Sequence, residues 1–191
     1  MKVTVFGGAR PRPGDPAYKE AYLLGTLLGK AGYSILTGGY CGTMEATSHG
    51  AADAGVHVIG VTCDEIENYR STRPNKWIEE EWRCKTLRER LWTLIENCDA
   101  AIALPGGAGT LAEITLLWNH LLIGAIQPRA LILVGKEWKE IFSLLFDHQS
   151  ENFSVQDQDW ILFAKDVQDA VHLLQKYPYT SANPPKNSLE G

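Results

Sequence analysis

Residues 105–113 read Pro-Gly-Gly-Ala-Gly-Thr-Leu-Ala-Glu (PGGAGTLAE), directly after the apolar run Ala100–Leu104. An apolar run of that length suits a central parallel strand, buried on both faces. Glycines let the following backbone approach a ligand closely. Unpaired N–H groups and the dipole at a helix start then attract an anion. The stretch therefore reads as a phosphate-binding turn that opens a helix over about 110–124. Thr110-Leu111-Ala112-Glu113 also matches a capping box, T-x-x-E, in which Glu113 bonds back to the Thr110 backbone. On local sequence alone that gives Glu113 a structural role that competes with a chemical one.

Two more glycine turns lie upstream, each after a strand pattern. Val3–Phe6 runs into Gly7-Gly8-Ala9, and 33–37 runs into Gly38-Gly39-Tyr40-Cys41-Gly42-Thr43. Further strands are expected at 57–61 and 130–134, with Trp160–Phe163 as an edge strand. Helices are expected over 15–31, 43–54, 83–97, 137–147 and 165–176, the third facing inward with Leu87, Leu91, Leu94 and Cys98. Residues 62–80 are polar, carry Pro74 and lack a period, so they read as a long loop. Loops of that length are often functional; Arg70 and Arg73 in it are ligand-contact candidates or solvated side chains. The tail over 177–191 reads as disordered.

Strand–helix alternation of this kind predicts an α/β fold: a Rossmann-like, doubly wound, mostly parallel sheet in a single domain over 1–176. Ligands in such sheets bind beyond the carboxyl ends of the strands, where strand order reverses. The three turns should converge there. Candidate phosphate and nucleotide contacts are Gly8, Ala9, Gly38, Gly39, Gly42, Thr43, Met44, Pro105, Gly106, Gly107, Gly109 and Thr110. Thr43 and Thr110 each follow a glycine and offer a hydroxyl. Neither GxGxxG nor a Walker Gly-Lys-Ser/Thr is present, which argues against the standard NAD and ATP sites.

Composition narrows the function classes. The formal net charge is −5 over 191 residues, the wrong sign for a protein that grips a nucleic-acid backbone. No apolar run approaches the roughly 20 residues of a membrane span. The four cysteines, at 41, 63, 84 and 98, form no CxxC pair, so no metal site and no cofactor are expected. The opening MKVTVFGG runs straight into a strand pattern, and the expectation is a reduced, cytoplasmic protein.

PGGAGTLAE resembles the PGGxGTxxE signature of the LOG (Lonely Guy) family. GGYCGTMEA at 38–46 resembles that family's GGxxGxM motif, and VFGGAR its opening strand and loop. The resemblance runs in order from about residue 2 to 135. It implies a phosphoribohydrolase that splits the N-glycosidic bond of a nucleoside 5′-monophosphate into free base and ribose 5-phosphate. It further implies Arg90 and Glu113 as catalytic residues, a small phosphorylated nucleotide as ligand, and a homodimer or higher homo-oligomer. Trp92, Trp118, Leu121 and Leu122 offer apolar surface for that contact or for the monomer core. Ala108 and Ala112 replace the Tyr and Glu of cytokinin-activating members, Leu91 stands where they carry Lys, and Tyr40, Cys41 and Glu45 replace smaller or apolar residues. These departures weaken a prenylated substrate more than nucleotide binding.

Two other readings compete. A non-catalytic binding protein for a nucleotide or phosphorylated pterin, similar to molybdenum cofactor carriers, fits the same turns. The family's older lysine decarboxylase label requires pyridoxal phosphate on a Schiff-base lysine, and no lysine lies in or beside the turns.

Overall fold

The computed structural model describes residues 1–177. Fifteen elements alternate along the chain: β1 (Lys2–Phe6), α1 (Pro16–Lys30), β2 (Ser34–Thr37), α2 (Thr43–Asp53), β3 (Val58–Cys63), α3 (Asp64–Arg70), β4 (Glu80–Cys84), α4 (Leu87–Glu96), β5 (Ala100–Ala103), α5 (Ala108–Leu122), β6 (Leu131–Val134), α6 (Lys136–His148), α7 (Val155–Gln158), β7 (Ile161–Ala164) and α8 (Val167–Lys176). The strands form one sheet in the order β4-β3-β2-β1-β5-β6-β7. Every pairing is parallel. The doubly wound α/β expectation holds, with the order reversing between β1 and β5.

Strand residues alternate between two cores. Val3, Val5, Ile35 and Ile102 pack with α1, α2 and α8 on one face. Phe6, Leu36, Val61, Ala101 and Leu133 pack with α4, α5 and α6 on the other. Helices α1 and α2 approach unusually closely, because a side-chain carbon at Gly25 would overlap the Thr47 carbonyl and one at Gly50 the Tyr22 carbonyl. Trp118 and Leu121 belong to the second core, whereas Trp92 and Leu122 are only partly buried. Among the described residues, no helix is long and apolar enough to cross a membrane.

The segment read as a loop over 62–80 departs from expectation. It holds the end of β3, the short helix α3 and the first residue of an edge strand, β4. That strand was hidden because it is polar: Glu80, Glu81 and Arg83 are exposed, and Arg83 is clamped by Asp64, Glu67 and Glu81. Charged edge strands are protected against pairing with other chains, and that protection erases the apolar signature of a strand. The expected helix over 83–97 starts only at Leu87. Its inward face is Arg90, Leu94 and Ile95; Leu87 is 44% exposed and Cys98 is buried beyond its end. The expected tail meets the described residues only at Tyr177, which is buried in the first core; 178–191 lie outside the described residues.

Candidate functional site

The turn after β5 stands at the carboxyl edge of the sheet, beside the turn after β1. Gly107 is the extended N-cap of α5, and the helix begins at Ala108. The N–H groups of Ala108, Gly109 and Thr110 therefore have no acceptor within the helix. They border a cavity of about 860 Å³ lined by Gly8, Ala9, Met44, Pro105, Gly106, Gly107, Gly109 and Thr110, together with Arg90 and Glu113.

The early start of α5 corrects the local reading of its sequence. Thr110 is the third helical residue and Glu113 lies in the second turn, so no capping box forms at 110–113. The T-x-x-E box that does form is Thr86–Glu89 at α4. There the Glu89 N–H donates to Thr86 Oγ1 at 3.2 Å and the Thr86 N–H to Glu89 Oε2 at 3.3 Å. Freed from capping, Glu113 forms part of the cavity wall.

Glu113 is 7% exposed. Among the described residues it pairs with Arg90, whose Nη1 is 3.7 Å from Glu113 Oε1. Burial pushes the carboxyl up to about 7, against the opposing pull of the Arg90 charge. A carboxylate kept this dry and loosely paired changes protonation near neutral pH, where acid–base chemistry is most effective.

Arg90 is buried as well, 5% exposed. Its Nε donates to the Val61 carbonyl at 2.8 Å and its Nη2 to the Gly38 carbonyl at 3.1 Å. A side chain at Gly38 would overlap that Nη2, so glycine is what admits the guanidinium. The Tyr40 ring flanks it, with the guanidinium carbon 5.7 Å from the ring centre. Tyr40 is itself fixed: its hydroxyl accepts from the Cys63 N–H at 2.6 Å and donates to the Cys63 carbonyl at 3.1 Å. The planar fork of Arg90 is thus bolted to the ends of β2 and β3 and presents one edge to Glu113.

Four of the residues expected to touch ligand stand behind the wall: Gly38, Gly39, Gly42 and Thr43 are not among its lining. Thr43 turns back on the first glycine turn, where its N–H and its hydroxyl donate to the Gly8 carbonyl at 2.9 and 3.2 Å. Its hydroxyl is therefore not offered to a ligand. Gly42 has φ of 78° and sits against Gly8 and Ala9, leaving no room for a side chain. The second turn supports the first.

Several lining residues escaped the sequence reading. Arg10 and Pro11 follow the first turn, and α3 contributes Glu65, Ile66 and Tyr69 beside the anticipated Arg70. Arg73 does not line the cavity. The one signal for this wall was the unusual length of the polar segment; its helix is too short to show a period.

Comparison with known proteins matches this architecture. The model of the SLOG cluster4 family matches residues 1–162. The chain is 31% identical over 176 residues to the cytokinin riboside 5′-monophosphate phosphoribohydrolase LOG of Oryza sativa subsp. japonica, covering 90% of this chain and 71% of that protein. It is 27% identical over 173 residues to the cytokinin riboside 5′-monophosphate phosphoribohydrolase of Rhodococcoides fascians, covering 88% and 86%. Similar solved folds include the molybdenum cofactor binding protein of Rippkaea orientalis, with TM-score 0.70, 23% identity and coverage of 91% and 94%. The molybdenum cofactor carrier protein of Chlamydomonas reinhardtii has TM-score 0.67, 22% identity and coverage of 92% and 98%.

Proposed function

The chain belongs to the LOG-like SLOG cluster4 family, and from that premise we propose that it hydrolyses the N-glycosidic bond of a nucleoside 5′-monophosphate. The observation that carries the reading is the Glu113 carboxylate, buried in the wall of the same cavity that the α5 N-terminus faces. With a 5′-phosphate on the first-turn N–H groups, the Glu113 backbone lies about 7 Å further along the helix axis, in the wall of the same cavity. As the bond from the anomeric carbon to the base nitrogen breaks, its electron pair leaves with the base. The anionic carboxylate stabilises the oxocarbenium-like centre. It then accepts the proton of the attacking water and passes it to the departing base. Arg90 acts on Glu113, favouring its anionic form; its Nε and Nη2 are held by the Val61 and Gly38 carbonyls and its Nη1 is turned to Glu113, so it is assigned to the carboxylate and not to the phosphate.

Assaying free base from a panel of nucleoside monophosphates, with Glu113→Ala alongside, tests the proposal. Release by the wild type and its loss in the variant is the expected result; equal release by both defeats the catalytic role. The cavity volume of about 860 Å³ is near the upper end for small-ligand sites. It therefore also suits a carrier that holds a phosphorylated pterin without turnover. Such a protein would raise its melting temperature with ligand and release no base.

We infer further that two copies pair through the exposed faces of α4 and α5. A largely apolar depression there is lined by Leu87, Leu91, Trp92 and Leu116, with Arg88 beside them. Leu87 borders both this depression and the cavity, so pairing would wall off the cavity mouth.

A further inference from the structure

A phosphate dianion at the α5 N-terminus calls for a cation, and three arginines line the cavity: Arg10, Arg70 and Arg90. Arg90 is excluded by its bonds to Val61 and Gly38 and by its facing Glu113. Arg70 ends α3, which follows β3. In the strand order, β3 is three strands from β5, about 14 Å at the usual strand spacing. It belongs to the opposite wall.

Arg10 differs on both counts. It lies two residues beyond Gly8, and Gly8 packs on the phosphate turn: a side-chain carbon built at Gly106 would lie 3.1 Å from the Gly8 nitrogen. The backbone around Arg10 is pinned on both sides. Upstream, the Gly8 carbonyl accepts two bonds from Thr43. Downstream, the Arg12 N–H donates to Asp15 Oδ2 at 2.8 Å and the Asp15 N–H to the Arg12 carbonyl at 3.0 Å. Pro11 and Pro13 restrict φ on either side of Arg12. Yet the Arg10 side chain has no ion pair or hydrogen bond among the described residues, while Arg83 is paired with three carboxylates.

We propose that Arg10 clamps the phosphate of a sugar 5-phosphate or nucleotide from the β1 side, opposite the N–H groups of α5; this rests on reading that turn as the phosphate site. A guanidinium fork matches two phosphate oxygens at once. The Ala9 and Pro11 neighbours hold its root beside the turn, so little backbone freedom is lost on binding.

Calorimetric titration of ribose 5-phosphate and of inorganic phosphate into the wild type, Arg10→Ala, Arg10→Lys and Arg70→Ala tests this. Arg10→Ala is expected to bind ribose 5-phosphate at least tenfold more weakly. Arg10→Lys should recover part of the loss, and Arg70→Ala should match the wild type. The ligand-free melting temperature of Arg10→Ala should stay at the wild-type value, because the side chain bonds nothing. Unchanged ribose 5-phosphate affinity in Arg10→Ala overturns the inference, as does a lowered ligand-free melting temperature that accompanies the loss. A wild type that binds neither ribose 5-phosphate nor phosphate overturns the phosphate site itself, a failure distinct from that of Arg10 alone. Because binding and not base release is read, the outcome stands whether or not the protein turns nucleotides over.

Discussion

Replacing Glu113 by Gln should make the protein more stable while abolishing base release. Burial lifts this carboxyl from its ordinary 4.5 to about 7, so the folded state holds a proton that the unfolded chain releases between those values. Where the folded state binds more protons, stability falls as pH rises. The native protein therefore loses stability from about pH 4.5 to about pH 7 and then levels off. The gap corresponds to about 3 kcal/mol at pH 8 and less than about 1 kcal/mol at pH 5. Gln has the shape of the protonated acid and does not ionise, so Glu113→Gln should be more stable than the wild type by about those amounts. For a domain of this size, 3 kcal/mol is about 6–12 °C in melting temperature. Calorimetric or fluorescence melts of both proteins at pH 5 and pH 8 measure it directly. A variant no more stable than the wild type at pH 8 would show that the carboxylate ionises without burial cost, and the account of a dry, poised acid would fail.

The same group predicts the pH dependence of turnover: base release should rise with pH through an acid limb centred near 7, and a limb near 4.5 would exclude Glu113 as the group that must ionise. Gly25→Ala should destabilise by about 3 kcal/mol, because its side chain meets the Thr47 carbonyl between two packed helices; denaturant melts read this, and a loss below about 1 kcal/mol would mean that α1 and α2 can separate freely. Tyr40→Phe leaves the Cys63 N–H and carbonyl without the hydroxyl they share and should cost about 1–3 kcal/mol, measured by the same melts. Leu91→Glu should yield a 21.1 kDa species by sedimentation, where the wild type should run at twice that mass; a wild type at 21.1 kDa refutes the proposed pairing of α4 and α5.

How much of the site was legible in sequence depended on the range of each interaction. The first and third glycine turns announced themselves, because glycine after an apolar run is a local signal and the strand alternation fixes which end of the sheet they occupy. Arg90 was not legible as a buried side chain. The stretch that leads up to and includes it, residues 83–90, reads RCKTLRER, a polar run, and its partners Val61 and Gly38 are 29 and 52 residues away. Thr43 looked like Thr110, each following a glycine ahead of a helix, yet one hydroxyl is spent on Gly8 and the other borders the cavity. The α3 wall was hidden by polar composition and by a helix of seven residues, shorter than periodicity can reveal.

The sequence by itself determined the doubly wound sheet and the glycine turn that opens a helix at PGGAGTLAE. Both follow from period, glycine placement and the unpaired N–H groups of a helix start, which are properties of neighbouring residues. The tertiary structure alone decided that the α5 helix starts at Ala108, that Glu113 is consequently a wall residue and not a cap, and that Arg90 is buried facing Glu113. Those outcomes depend on burial and strand order. Only when β2 and β3 bring the Gly38 and Val61 carbonyls to α4, with α5 packed beside it, is the arginine fixed and the carboxylate dried.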